Sequence, residues 1–589
     1  MRSLPRLGSF LLGIIAFGCA KPKSVSTDSV ATASRRSALP ASWPYTDTSR
    51  AVTAAHGMVA TDAPLATHVG AAVLRDGGNA IDAAVATAFA LAVVYPGAGN
   101  IGGGGFLVVH MSDGREESLD FRETAPRAAS RDMYLGANGH ADARSITGSL
   151  SAGVPGSVMG MWEAHERYGS LPWARLLAPA IELAEKGFVV DSDFSGSIHG
   201  DSARLTRFPA SKALFFPGGH APVPGDTWKN PELATVLRRI SSDGPKGFYA
   251  GRTAALIDAE MHRSGGKISL ADLSGYRAKW RAPIGFTYRG HRIISMPPPS
   301  SGGITIAIAA HELSRYDLRA LGWHSPDELH LLTEAMRRGF AVRNNVLGDP
   351  DFISIPIARL LSQQYADSLA ATIEKDRATP SSSIGAPPSA SVERKQTTHF
   401  SVVDGKGGAV ALTTTLNGDN GSAVVVSGAG FLLNDEMDDF ATEPGRPNMF
   451  GLVQGEANAI APGKRMLSSM SPTIVMGQDN TPLLVTGAQG GPTIISTTFE
   501  IMSEIVDYDM GIGAAVSAPR THHQHLPDTL YYERGGILDS TLAALHAMGY
   551  ATSAVGIHGD LGFAASILRH GGIVQGMSDP RVHGLAEGY

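Results

Sequence analysis

The sequence predicts a layered core of mixed helix and sheet, α/β or α+β. Three observations carry this reading. Apolar residues recur at helical spacing from 65 to 94 and again through 156–275. β-rich runs flank the turn signals Asp113-Gly114 and Asp404-Gly405-Lys406-Gly407. Both kinds of element occur in both halves of the chain, with no repeat of fixed period. A length of 589 residues calls for more than one unit of ~100–200 residues. Hydrophobic and charged contents of 43% and 18% are those of a globular protein. A formal charge of −6 and the lack of any Lys/Arg-rich run argue against nucleic acid as a partner.

The first element is an export signal. Arg2 and Arg6 bracket a basic start, and the apolar run 7–18 is too short to span a bilayer but fits a signal-peptide core. It ends at Cys19, the single cysteine, which has no intrachain disulfide partner. AFGC resembles a bacterial lipoprotein box, whose cysteine is lipidated and becomes the mature N-terminus, although Phe17 departs from the usual small or aliphatic residue. This places the protein in a bacterial cell envelope, lipid-anchored on the periplasmic side, or free in the periplasm if Cys19 is not lipidated. Residues 19–55 are rich in Ser, Thr, Ala and Pro and read as a flexible tether.

From 56 the chain becomes globular. Residues 65–78 have helical spacing and stop at Gly77-Gly78, and 79–94 is apolar on nearly all sides, a buried helix closed by Pro96. Residues 106–121 read as a β-hairpin turning at Asp113-Gly114. Helical patterns fill 156–275, 326–345 and 357–376. The Ser/Pro-rich stretch 377–396 is a surface loop or linker dividing 56–396 from 397–589. Beyond it, HFSVVD and GGAVALTTTLN form a second hairpin, with strands at SPTIVM, TPLLVTG and GFAASILRHGG and a helix at 493–508.

Thr397-Thr398 ends the linker and opens a strand, where a self-cleaving enzyme would expose a new N-terminal threonine. A terminal threonine carries its own base, because a free α-amine titrates near pKa ~7.7–8.0. If the hairpin folds about residue 406, Thr397 lies opposite Thr415, within hydroxyl reach, and Asn417 falls just past the end. A plain Thr–Thr sheet pair has the same appearance.

Other constellations are ambiguous locally. GAGNIGGGGF contains G-x-G-x-x-G, but a helix precedes it and a strand follows, the reverse of a dinucleotide site. It remains a loop that lets backbone approach a ligand or a neighbouring element. Arg122 in DFRE has the fork to bind a carboxylate, or to pair with Asp120 or Glu123. NDEMDDF offers Glu436, Asp438 and Asp439 for metal binding, acid/base work or an ammonium, with too few oxygen ligands for calcium. SSMSP supplies hydroxyls, and GAQGGPT supplies backbone N–H groups suited to an oxyanion hole. THHQH lacks zinc-ligand spacing and reads as packing or surface histidines.

Nine motifs in order make the chain resemble the γ-glutamyltransferases, a family of N-terminal-nucleophile hydrolases, over residues 55–589. They are GGNAIDAAVA, PGAGNIGGGGF, DFRETAP, MPPPSSGG, QTTHFSVVD, NDEMDDF, LSSMSPT, TGAQGG and SDPR. The resemblance implies an α+β, four-layer αββα sandwich, self-cleaved between Gln396 and Thr397 into a large subunit, 56–396, and a small catalytic one, 397–589. It implies Thr397 as nucleophile, Thr415 as its support, and Gly490 and Gly491 as the oxyanion hole. Arg122, Ser468 and Ser469 would take the donor's α-carboxylate; Glu436 and Asp439 would take its ammonium, with Asn417 nearby. The implied partners are a γ-glutamyl donor such as glutathione and water or an amine acceptor, with no cofactor and no metal. A glutaryl-amide or poly-γ-glutamate hydrolase of the same fold and a non-catalytic binding protein are the alternatives. Phe450 stands where the family often has a lid tyrosine, GAQGG replaces GSPGG, and Met577 replaces an alanine before SDPR.

Overall fold

Side chains alternate across the hairpin strands Thr398–Val403 and Ala409–Thr415, and this alternation sets the layers of the molecule. The computed structural model describes residues 39, 43–45, 51–384, 397–556 and 561–589. Phe400, Val402, Val410 and Leu412 pack on one side against the helices Pro64–Arg75 and Ala80–Val94. Val403, Ala409 and Ala411 pack on the other, with Ile474, Val485 and Ile567 of a second sheet. Both strands are buried on both faces, and their polar members Thr398, His399, Ser401 and Thr413 are hydrogen-bonded inside.

The hairpin is the centre of a seven-stranded sheet. Its order is Leu585–Gly588, Met58–Thr61, Thr398–Val403, Ala409–Thr415, Gly104–His110, Glu116–Asp120 and Lys279–Arg281. The facing sheet contains Val52–Ala54, Ile573–Ser578, Phe563–His570, Pro482–Thr486, Thr473–Met476, His291–Ser295 and Ile284–Tyr288, with Ala488–Gln489 paired beside Phe563–His570. Its far side is covered by Gly302–Leu313, Pro326–Val346 and Thr493–Val506, which share its core. The result is helix, sheet, sheet, helix. Both sheets draw strands from both sides of the 377–396 stretch, so 56–396 and 397–589 are interleaved and both contribute to each apolar layer.

Local signals explain the placement. All fifteen residues of Ala80–Val94 are buried, and its start is closed by reciprocal bonds between Asn79 and Asp82. Asp404 organises the hairpin turn by accepting from the amides of Lys406 and Gly408, both at 2.8 Å. Its second oxygen accepts from Ala80 N at 3.0 Å, tying the turn to that helix. The glycine run serves a neighbouring element: a Cβ on Gly102, Gly103 or Gly105 would lie 2.0, 2.1 or 2.2 Å from the carbonyl oxygens of Leu432, Thr415 or Thr413. It is thus what lets Gly104–His110 close against the end of the hairpin.

Two expectations are corrected. The tether expected over 19–55 contains ordered fold: Trp43 is buried with its indole N–H on Ser517 O at 2.7 Å, under the Arg581 guanidinium, and Val52–Ala54 is a paired strand. A large apolar ring recovers free energy on burial, and Val52–Ala54 is held by its pairing with Gly576, Gln575 and Val574. The helix expected over 357–376 is two helices, Ile357–Leu360 and Gln363–Ala370, because Ser362 caps the second. Residues 377–384 are anchored through Ala378 N to Met548 O and Ser381 N to Asp528. Cys19 and Gln396 lie outside the described residues.

His399 is fully buried between the sheets, on Thr413 Oγ1 at 2.8 Å and Ser401 Oγ at 3.2 Å, and burial pushes its pKa down to about 3. Below its ordinary value of 6.5 the unfolded chain takes up a proton that the folded chain refuses. Stability is therefore intact above about pH 6.5 and falls as pH drops toward 3, by up to ~1.4 kcal/mol per pH unit. Acid unfolding followed by circular dichroism should show this slope, and His399→Gln should flatten it.

Candidate active site

The hairpin register is the one that folding about residue 406 requires: Thr398 faces Thr414, continuing to Val403 opposite Ala409. Thr397 thus meets Thr415 at the strand end, their hydroxyl oxygens 3.3 Å apart and both side chains buried. Asn417, at φ +84°, turns the chain away and donates its backbone N–H to Thr415 Oγ1 at 2.8 Å. Asparagine tolerates this left-handed geometry better than most residues. Its side-chain amide donates to Asp435 O at 3.1 Å.

These three residues line a cavity together with Arg122, Asp439, Phe450, Ser468, Ser469 and Gly491. Residues far apart in sequence, from 122 to 491, converge there. Gly490 stands one residue behind the wall. Gly490 and Gly491 have φ of +128° and +60°, and a Cβ on Gly490 would lie 2.4 Å from Thr493 Oγ1. Their carbonyls accept from Thr493 N and Ile494 N in the first turn of Thr493–Val506. Because a trans peptide directs N–H and C=O oppositely, the Gly491 N–H points away from that helix. The positive end of the helix dipole lies alongside.

Arg122 is buried and pairs directly with both Glu436 and Asp439, with Glu123 3.8 Å away. Burial alone would lower its pKa; the carboxylates of Glu436, Asp439 and Glu123 outweigh that and raise it. Burial raises Glu436 and Asp439, and Arg122 offsets this in part. Asp120, a partner weighed for Arg122 from sequence, pairs instead with Arg281 and Arg465. Asp438 accepts from Ser145 Oγ at 2.7 Å and from Met449 N at 3.0 Å, a structural role.

The serine pair is held by the MPPPSSGG segment. Ser301 N and Oγ both donate to Ser468 O, at 2.8 and 2.6 Å, and Ser300 Oγ donates to Met470 O at 2.6 Å. Arg343 reaches Ser469 Oγ at 3.2 Å and Ser301 Oγ at 3.1 Å, its pKa lowered to about 10 by burial. The sequence reading missed this second guanidinium. Its only signal was a run of arginines on a helix, Pro326–Val346, that is otherwise buried.

The buried Phe450 ring lines the cavity. Its segment is pinned by Asn448 Oδ1, which accepts from Phe450 N and Leu452 N, each at 3.1 Å, and by Gln524 Nε2 on Phe450 O. The 521–525 histidines are packing residues bonded to Ser496, Gln524, Asp528 and Ser381. Met577 is core, and Arg581 of SDPR is bound by Glu533 and Asp579.

Comparison with known proteins agrees with this architecture. A family model described as gamma-glutamyltranspeptidase matches residues 66–589. The glutathione hydrolase proenzyme of Escherichia coli K12 is 44% identical over 542 residues, covering 91% of this chain and 93% of that protein. A cephalosporin acylase structure from Bacillus halodurans is similar with a TM-score of 0.82 at 28% identity, over 93% of this chain and 99% of that one. The Helicobacter pylori gamma-glutamyltranspeptidase structure is 44% identical with a TM-score of 0.54, covering 55% of this chain and 93% of its own. The four layers are those of an N-terminal-nucleophile hydrolase, and the chain belongs to the γ-glutamyltranspeptidase family.

Proposed function

We propose that the chain cuts itself between Gln396 and Thr397 and then hydrolyses or transfers the γ-glutamyl group of glutathione and related amides. The observation that carries the reading is the Thr397–Thr415 hydroxyl pair at 3.3 Å inside a cavity shared with Arg122, Asp439 and Gly491. Thr397 Oγ attacks the γ-carbonyl carbon while its own freed α-amine takes the hydroxyl proton, directly or through water. Thr415 positions that hydroxyl, and the amides of Gly490 and Gly491 receive the oxyanion. The carbon–nitrogen bond breaks, the leaving amine takes the proton, and a threonyl ester remains. Water releases glutamate from it; an acceptor amine releases a new γ-glutamyl amide.

An α-amino acid head group carries both charges, so it exchanges the Arg122–Asp439 pair for two pairs of its own. Its carboxylate goes to Arg122, Ser468 and Ser469, and its ammonium to Asp439 and Glu436, beside Asn417. A glutaryl amide has no α-ammonium and leaves those acids without a counter-charge, a loss of ~2–5 kcal/mol. The expected result is therefore a kcat/KM for glutathione well above that for a matched glutaryl amide; equal values would favour the acylase reading. Export and lipidation at Cys19 belong to the same proposal and rest on sequence. One protein-chemical experiment reads both ends of the processed protein. The small fragment should begin TTHFSVVD, and the first peptide of the large one should carry acyl mass on Cys19.

A further inference from the structure

Three arginines are buried on the helix Pro326–Val346: Arg337, Arg338 and Arg343. Arg337 and Arg338 both pair with Glu334, and Arg337 also pairs with Asp528. Arg343 is only 1% exposed, and its hydrogen bonds go to neutral oxygens. Nε donates to Ser301 Oγ at 3.1 Å, and Nη2 to Ser469 Oγ at 3.2 Å. Nη1 donates to Asn344 Oδ1 at 3.0 Å and to Gln454 Oε1 at 3.4 Å. Burial pushes its pKa down to about 10, and the Arg122 charge pushes the same way against Asp439. At neutral pH it is therefore still a cation. Asp439, the carboxylate that acts on it, is already paired with Arg122. A desolvated cation held only by neutral groups is costly, and an anion brought beside it is strongly stabilised.

The direction of the hydrogen bonds fixes where such an anion is received. A guanidinium only donates, and a serine hydroxyl has one hydrogen. Ser469 Oγ accepts from Arg343, and Ser468 Oγ accepts from Met470 N at 3.1 Å. Each hydroxyl hydrogen must therefore point elsewhere, and neither has an acceptor among the described residues. Both serines line the Thr397 cavity beside Arg122. Two O–H groups filled from behind, next to a guanidinium, are set to donate to a carboxylate. Arg343 also steadies the peptide that carries them, because Ser301 Oγ in turn donates to Ser468 O at 2.6 Å. The cation behind Ser469 polarises its O–H and makes it a stronger donor.

We infer that Arg343 is a positioning residue for the donor's α-carboxylate, aiming the Ser469 hydroxyl and supplying positive charge when the donor's ammonium draws Asp439 away from Arg122. This role rests on the γ-glutamyl reading of the site. The test is steady-state kinetics of the processed Arg343→Gln and Arg343→Lys proteins on a γ-glutamyl anilide, with L-glutamate and its neutral α-amide as inhibitors. In Arg343→Gln, KM should rise about 10–100-fold while kcat stays within about threefold. Arg343→Lys keeps the charge and loses the fork, so its KM should fall between those of the wild type and the Gln variant. L-glutamate should lose inhibition in step with KM, whereas the α-amide, with no charge to balance, should lose less than about threefold. An unchanged KM would overturn the assignment. Equal weakening of L-glutamate and its α-amide would do so too, since a residue that only holds the fold moves both alike. If Arg343→Gln is not processed, the same two readings on Arg343→Lys decide. A wild-type protein that leaves the anilide intact would instead sink the γ-glutamyl reading itself.

Discussion

Thr397→Ala should leave one uncut chain, 61.5 kDa before leader removal, with γ-glutamyl turnover lowered about 10⁶-fold, the scale seen when a covalent nucleophile is deleted. The effect is large because one oxygen serves twice. It is the group on which the chain cleaves itself and the group that attacks the donor. No second hydroxyl substitutes for it: Thr415 is mid-chain and has no α-amine of its own to act as base. Thr397→Ser keeps an oxygen at the same place and should still process, more slowly. Electrophoresis and a γ-glutamyl amide assay together decide the matter; two fragments with normal turnover from the alanine variant would refute the assignment.

Arg122 should show the second large effect, and two substitutions separate its roles. Arg122→Ala leaves Glu436, Asp439 and Glu123 facing one another in a buried site, and removing one partner of such a cluster costs ~3–5 kcal/mol. Thermal unfolding should register this as a lower midpoint. Arg122→Lys keeps the charge and loses the planar fork, so the fold should survive while kcat/KM for glutathione falls about 100-fold, chiefly through KM. Thr397 and the glycines are untouched by that change, so processing at Gln396 should proceed. A Lys variant with an unaltered KM would show that the guanidinium serves structure alone.

Local signals carried much of the fold. The hairpin about residue 406 was legible because period-two alternation and the Asp404–Gly407 turn specify register together, and a one-residue slip would have reversed every buried side chain. Ala80–Val94 was legible because a run apolar on nearly all sides and closed by Pro96 reads as a buried helix. The tether boundary was not, since Trp43 is apolar in a polar stretch and only the Ser517 carbonyl and Arg581 show what it meets. Likewise the glycine run named a close approach without saying to what; the answer, the carbonyls of Thr413, Thr415 and Leu432, lies some 300 residues away.

The site divides along the same line. Sequence alone singled out Thr397, placed Thr415 opposite it and, through nine ordered motifs, pointed to a γ-glutamyl chemistry, because register and motif order are properties of the chain itself. It did not determine that Arg122 pairs with Glu436 and Asp439 in preference to its neighbour Asp120, or that Arg343 stands behind Ser469. Those depend on how segments far apart in the chain are packed. Burial, and not sequence proximity, decides which charges must find one another, since a desolvated charge costs several kcal/mol unless a partner is brought to it.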